Sequence, residues 1–459
     1  MAAFYEMKSA FWRSVVLFCA VSGVIQKSRA ESISFIRDSE IESAIYAIVC
    51  PLARAAGLDE KSIRIYIISS SAVNAAASGD GRIFINTGLI LKIQTVYQLK
   101  GVLAHELGHI AAHHSARRAG IEKTLSAAAM ASIFLGCCVG IAGGRPDLAF
   151  GAVSAGTSMA ASAFCHHSQQ EEAAADALAV KILHSLGCSA KGLIEFLAIL
   201  RKQEQLLGSD GDIPAYFRTH PGTQERIESL KEKEIDSDRP AHAHQDSRKE
   251  EKNFRLMKEK LLAWWAPLDR VLQQRESNGN KTAEAIMLYR QGHLQEALNC
   301  IETHLAQEAS QKPYLLELKA QILLEKKDVS QAISVYREAL AALPLENSAP
   351  LIQLSLAHAL LETKDPADLV EALKILNSLT AVEKDNPNLW HLLAVGYGRQ
   401  GDEGRAALSL AEEALALGDE KRARQYALRA RKKIPKNTPL YARVCDLLEY
   451  LKTQRHTKK

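Results

Sequence analysis

The sequence predicts a mainly α-helical protein, in which an α+β unit with a small β-sheet is followed by a solenoid of paired helices. Three observations support this fold class. The 459 residues are too many for one ordinary domain, and a hydrophobic fraction of 47% is enough to build sizeable cores. Strand-like runs lie near the N-terminus. The C-terminal region is helical and repetitive.

The N-terminal residues 1–30 have the pattern of a cleaved signal peptide. Lys8 and Arg13 precede a short apolar run over 14–25, and Ser28-Arg29-Ala30 is a small-x-small cleavage site. An uncleaved N-terminal anchor is the alternative interpretation. The pattern predicts an exported protein.

The charge balance of the mature chain excludes one class of partner. The leader contains four of the 57 basic residues and one of the 53 acidic residues, so removing it leaves 53 basic and 52 acidic side chains, a net charge of +1. A balance this close to zero creates no global field that attracts a polyanion. We therefore expect no nucleic-acid binding.

The small sheet is predicted just before a long helix. Residues 63–68 form a strand-like run, and a glycine-rich turn at 79–82 precedes the alternating strand 83–85. This pattern predicts a small β-hairpin or meander. The next helix is expected from Tyr97 to about His114.

A long uncharged region follows that helix. No charged residue occurs over 125–144 or over 148–165. The first stretch has the length of a membrane span, but both are rich in Ala, Gly and Ser. We interpret 125–165 as a helical hairpin, either buried in the fold or making peripheral contact with a membrane. A hairpin of two membrane spans is the alternative.

The C-terminal half carries an internal repeat. Ala320, Ala357 and Ala394 recur every 37 residues among large apolar residues. This spacing is typical of tetratricopeptide repeats, in which small residues lie where paired helices cross. We expect four to five helical pairs, which stack into a groove for peptide or protein partners. A polar, charge-dense stretch at 232–252 predicts a linker before them.

The segment His-Glu-Leu-Gly-His at 105–109 contains the strongest chemical motif. Four residues make about one helical turn, so His105 and His109 lie on one face and can bind one zinc ion. Glu106 is placed to act as the general base toward water at the metal. The motif predicts a zinc peptidase.

A catalytic zinc requires a third protein ligand and an open position. Glu172 and Asp176 lie one turn apart in 168–204, a segment with the apolar period of a helix. We assign Glu172 as the third ligand and Asp176 as the acceptor of a hydrogen bond from a ligand imidazole. Glu171 is the competing choice, although it points about 100° away around the helix. The sequence thus predicts one Zn²⁺ per chain.

These motifs resemble those of the HtpX and CAAX-prenyl-protease superfamily of gluzincin peptidases. The likeness covers about residues 35–230 and includes Glu-Ala-Ala-Ala-Asp at 172–176 and Thr-His-Pro with Arg-Ile at 219–227. It implies that His220 lies near the zinc, where it stabilises the oxyanion or occupies the open position in a resting form. Gln169 departs from the family, which usually has Arg there.

The resemblance extends to domain order. With a leader in front and repeats behind, the chain is similar to the periplasmic β-barrel-assembly-enhancing proteases. We expect the following division: signal peptide 1–30, gluzincin-type zinc metallopeptidase domain 31–231, polar linker and connecting helix 232–278, and tetratricopeptide-repeat domain 279–455.

The function that the resemblance implies is a zinc metalloendopeptidase of the bacterial periplasm. It would degrade misfolded or stalled outer-membrane proteins, with the repeats docking substrate or the β-barrel assembly machinery. Two alternatives stay open: a chaperone or adaptor with a latent peptidase site, and a membrane-embedded peptidase of the same superfamily. An extended substrate is expected along a sheet edge, at 73–78 or at 83–86.

Overall fold

The computed structural model describes residues 34–112, 130–131, 134, 169–207, 215–221, 223–235, 246–266, 281–305, 312–344 and 349–457. The predicted signal peptide lies outside the described residues, as does nearly all of the uncharged region 125–165. Within the described ranges, no helix combines the length and the apolar character needed to cross a membrane.

Four short strands form the sheet in the order β1-β2-β4-β3. Their bounds are β1 Phe35–Ile36, β2 Arg64–Ile68, β3 Ala75–Ala77 and β4 Arg82–Asn86. Strands β3 and β4 form the predicted antiparallel hairpin. A meander is wrong, because β2 pairs in parallel with β4 and not with β3. This order leaves β3 at an edge of the sheet.

Seven helices accompany the sheet in the described part of the N-terminal region. They are α1 Ser39–Ala55, α2 Thr87–Lys92, α3 Val96–Ala111, α4 Gln169–Ser185, α5 Lys191–Leu207, α6 Ala215–Thr219 and α7 Thr223–Ile235. The helical segment expected over 168–204 consists of two helices, α4 and α5. The chain turns between them, with Gly187 in the left-handed region at φ 67°.

Helix α3 is buried along nearly its whole length. Two glycines permit this, because a Cβ on Gly101 would lie 2.6 Å from the backbone nitrogen of Leu193 in α5. A Cβ on Gly108 would lie 2.7 Å from the carbonyl oxygen of Ala175 in α4. Glycine at the fourth position of the His-Glu-Leu-Gly-His segment therefore lets α4 approach α3 closely. That approach brings the acidic residues of α4 beside the histidines of α3.

The C-terminal region consists of paired helices, which confirms the predicted fold class. The helices are α8 Asp246–Trp265, α9 Lys281–Arg290, α10 Leu294–Leu305, α11 Lys312–Glu325, α12 Val329–Ala341, α13 Pro350–Glu362, α14 Pro366–Leu379, α15 Pro387–Gln400, α16 Glu403–Ala416, α17 Glu420–Lys433 and α18 Pro439–Thr457. Helices α9 to α18 make five pairs, within the expected four to five. The recurring alanines Ala320, Ala357 and Ala394 are buried on α11, α13 and α15.

Polar contacts attach the repeats to the β1–β2 side of the sheet. The Arg37 guanidinium, just after β1, lies 2.8 Å from the carboxylate of Glu383. The hydroxyl of Tyr66 in β2 donates a 2.6 Å hydrogen bond to Asp385. Both acceptors lie in the loop between α14 and α15. These two contacts lie on the β1–β2 side of the sheet, away from β3.

A second contact joins α1, α8 and α11, and we call it the junction cluster (Asp38, Ser39, Glu40, Lys260 and Glu317). The Lys260 ammonium lies 3.0 Å from a carboxylate oxygen of Asp38 and 3.0 Å from one of Glu40. The Ser39 hydroxyl donates a 2.6 Å hydrogen bond to Glu317. Three carboxylates thus surround one ammonium group at the start of the repeats.

Candidate metal centre

The structure brings all six residues of the predicted site together, from three separate segments of the chain. Their positions follow from the helical periods: the α3 side chains are one turn apart, and so are the α4 side chains. The α3 residues are His105, Glu106 and His109; the α4 residues are Glu172 and Asp176; and His220 follows α6.

Nitrogen and oxygen atoms of four of these residues converge. The Nε2 atoms of His105 and His109 are 3.1 Å apart. The two carboxylate oxygens of Glu172 lie 3.3 Å from His105 Nε2 and 3.2 Å from His109 Nε2. His220 Nδ1 lies 3.0 Å from Glu172. All four side chains are fully buried, and one ligand atom from each lies within 4.8 Å of the others. The competing Glu171 is only half-buried.

Asp176 orients the first histidine. Its Oδ1 lies 2.9 Å from His105 Nδ1. An ionised carboxylate can only accept, so Nδ1 carries the hydrogen and the Nε2 lone pair faces the other donor atoms. Burial alone would raise the pKa of Asp176, but the hydrogen bond from His105 and the neighbouring charges lower it to about 2.

Arg226 in α7 is a site residue to which the sequence analysis gave no role. Its Nη1 lies 2.6 Å from Glu172, and its Nε and Nη2 lie 2.8 and 2.9 Å from the two oxygens of Asp176. The guanidinium is 5% exposed. The Arg-Ile end of the 219–227 segment was visible in the sequence. The spacing of residues within that segment did not predict that the Arg226 guanidinium contacts both Glu172 and Asp176.

Tyr216 in α6 is a second residue that the sequence analysis missed. Its ring stacks on that of His220 at a centroid distance of 4.5 Å. The segment is also tied to the sheet: the Thr219 hydroxyl contacts Asn74 Oδ1 at 3.2 Å, and His220 Nε2 lies 3.3 Å from the carbonyl oxygen of Ala75 in β3. Thus His220 links the converging donors to the edge strand.

The two carboxylate oxygens of Glu106 are fully buried and have no hydrogen-bond partner among the described residues. Burial raises the pKa of this carboxyl group above its usual value. An unpaired buried carboxylate is costly to stability, so its retention indicates a partner such as water or substrate. The His220 Nε2 atom lies 3.6 Å from one of these oxygens.

The donor set fits a divalent cation. When ionised, Glu106, Glu172 and Asp176 carry three negative charges and Arg226 one positive charge, so the buried group sums to −2. Two imidazoles and a carboxylate are ligands that suit zinc and neighbouring transition metals. Without a metal, the two α3 histidines differ: burial would lower the pKa of His105, but Glu172 raises it to about 9, whereas burial lowers that of His109 to about 3.

Comparison with known proteins agrees with this geometry. Residues 39–234 match the model of Peptidase family M48. The chain carries a family M48 peptidase domain. Residues 323–395 match a tetratricopeptide-repeat model. The chain is therefore a metallopeptidase with tetratricopeptide repeats, and its family implies a metal cofactor.

Relatives that share one name align with most of the chain. The beta-barrel assembly-enhancing protease of Yersinia pestis is 25% identical over 77% of this chain and 71% of its own length. The protein of the same name from Escherichia coli K12 is 25% identical over 87% of this chain and 78% of its own length. The metalloprotease LoiP of Escherichia coli K12 is 29% identical over 35% of this chain and 58% of its own length.

Proposed function

We propose that this M48 metallopeptidase is a zinc-dependent endopeptidase of the bacterial periplasm that degrades misfolded or stalled outer-membrane proteins. The observation that carries the enzymatic part is the buried Glu106 carboxylate beside the converging donors of His105, His109 and Glu172. The predicted leader and the names of the two long relatives support the location and the substrate class.

In this proposal His105, His109 and Glu172 hold one zinc ion per chain. When bound, zinc would polarise the scissile carbonyl and make water more acidic. Glu106 accepts a proton from the attacking water and returns it to the leaving amine. Asp176 and Arg226 are positioning residues, because the first fixes the His105 ring and the second fixes the Glu172 carboxylate.

His220 has two proposed roles. In a resting form it is a fourth donor, since its Nδ1 lies as close to Glu172 as the α3 histidines do. During turnover it stabilises the oxyanion with an N–H group. The first role favours a second candidate function, a chaperone or adaptor in which proteolysis is latent.

Substrate would bind as an added strand along β3. Asn74 and Ser78 exchange backbone hydrogen bonds with β4, at 3.0 and 2.8 Å. Backbone groups alternate along an antiparallel strand, so those of Ala75 and Ala77 point away from β4. Strand β4 is paired on both sides, so of the two edges expected from the sequence only β3 lacks a second strand neighbour among the described residues.

The test is casein cleavage by the mature protein and by Glu106→Gln, with zinc content measured on both. We expect wild type to cut, the variant to lose at least about a hundredfold in rate, and both to hold one zinc. Zinc in both with no cleavage by either would favour the latent form, and His220→Ala should then restore cutting. Absence of zinc from both would refute the metal assignment.

A further inference from the structure

The basic residues of this chain are concentrated at its C-terminal end. Residues 420–459 contain 13 basic and 3 acidic side chains, whereas residues 1–419 contain 44 basic and 50 acidic side chains. The small net charge of the whole chain is therefore the sum of a net charge of +10 in residues 420–459 and a net charge of −6 in residues 1–419. Helix α17 contributes more than half of the basic residues in this region.

Helix α17 presents these charges on one face. Its buried side chains are Ala423, Ala427 and Ala430, which pack against the neighbouring helices. At 100° per residue, its basic side chains cover an arc of about 200° around the remaining circumference. All of them are exposed, and we call them the basic face: Lys421, Arg422, Arg424, Arg429, Arg431, Lys432 and Lys433.

The stability of the helix does not account for this composition. Cations in the last turn are favourable, but Lys421 and Arg422 lie in the first turn, where the helix dipole disfavours positive charge. Arg429 and Lys432 are like charges at spacing i,i+3, which also destabilises a helix. Two of the seven form ion pairs with described residues, Arg422 with Asp419 and Lys433 with Glu403. The Glu403 carboxylate also attracts Arg429, so the positive charge of this face is only partly compensated.

We propose that the basic face of α17 docks the protein onto a bilayer that contains anionic phospholipids. Its exposed side chains are the seven cations and Gln425, and Leu428 is only half-buried. An acidic peptide would need an apolar anchor or a groove to be held specifically. A row of separated positive charges on a convex helix instead matches a plane of phosphate groups, whose attraction acts within a Debye length and needs no pocket.

The experiment is co-sedimentation of the full mature chain with vesicles of phosphatidylcholine containing about one third phosphatidylglycerol. The test variant replaces four cations by glutamine, which keeps helix propensity: Lys421→Gln, Arg424→Gln, Arg431→Gln and Lys432→Gln. The control variant removes the same charge from exposed lysines on other elements: Lys61→Gln, Lys181→Gln, Lys364→Gln and Lys374→Gln. Circular dichroism confirms that both variants are folded.

Each basic residue beside an anionic surface strengthens binding about fivefold, so the test variant should bind at least about a hundredfold more weakly. Wild type and the control variant should bind alike, and half-molar salt or pure phosphatidylcholine should abolish binding. Equal binding by the test variant and wild type would overturn the proposal. So would no vesicle binding by wild type, an equal loss in the control variant, or binding to polyglutamate but not to vesicles.

Discussion

Glu317 provides a pH-dependent test of how the repeats are attached to the peptidase domain. It lies in the junction cluster, where burial is the main cause that raises the pKa of its carboxyl group. Asp38 and Glu40 add to that effect, Lys260 and Ser39 oppose it, and the result is a value of about 7. The change to make is Glu317→Gln, which mimics the neutral acid in nearly the same volume.

Proton binding by Glu317 decides whether the protein becomes more or less stable as pH rises. The pKa rises from 4.5 to about 7 on folding, so the folded state holds the extra proton between these values. The stabilisation is complete below pH 4.5 and is lost as pH rises through 7. A shift of that size corresponds to about 3 kcal/mol, which we lower to about 2 kcal/mol because the side chain is only half-buried.

The assay is urea unfolding of both proteins at pH 5, 6, 7 and 8. Wild type should lose about 2 kcal/mol more than Glu317→Gln does between pH 5 and 8, because glutamine does not titrate. An exposed acidic residue serves as the control, and Glu232→Gln should leave the wild-type pH dependence unchanged. Parallel pH profiles for wild type and Glu317→Gln would refute the reasoning.

Three further changes test the packing described above. Gly108→Ala should cost about 1–3 kcal/mol and weaken zinc binding in equilibrium dialysis, because its Cβ would press on α4. The control Gly398→Ala, whose Cβ meets nothing within 4 Å, should be neutral or stabilising. Arg226→Met should destabilise the metal-free protein by about 3–5 kcal/mol, and zinc should recover part of the loss in thermal melts. Tyr66→Phe should cost about 1–3 kcal/mol in urea, since Asp385 loses its hydrogen-bond donor.

The sequence predicted those parts of the site that depend on local periodicity. One helical turn separates His105 from His109 and Glu172 from Asp176, so each pair was placed on one face before any fold was known. The role of Arg226 could not be predicted this way. Its three contacts depend on how α7 packs against α4, and no spacing within either segment encodes that packing.

The sheet shows the same limit. Alternating and β-branched residues identified the strand at 63–68 and the turn before 83–85, because these are local signals. They did not identify partners, and the parallel pairing of β2 with β4 depends on where the β3–β4 hairpin folds back. The break between α4 and α5 was also missed, since the apolar period continues across the glycine turn at 186–190.

The strand order has a consequence for substrate size. The repeats contact the β1–β2 side of the sheet through Arg37 and Tyr66. Strand β3, to which we propose that the substrate adds, lies at the other edge. At about 4.8 Å per strand, the two edges are about 14 Å apart. A polypeptide that binds both the repeats and β3 must therefore continue well beyond the residues around its scissile bond.

Because binding at the repeats would turn binding at β3 into an intramolecular step, it should raise the effective concentration of a long chain at the site. We therefore expect an unfolded polypeptide to be cleaved with a kcat/KM at least about tenfold above that of a ten-residue peptide with the same scissile bond. The gain should appear mainly in KM, since both substrates meet the same Glu106. Equal KM values for the two substrates would mean that the repeats do not hold substrate, and their partner would then be another protein.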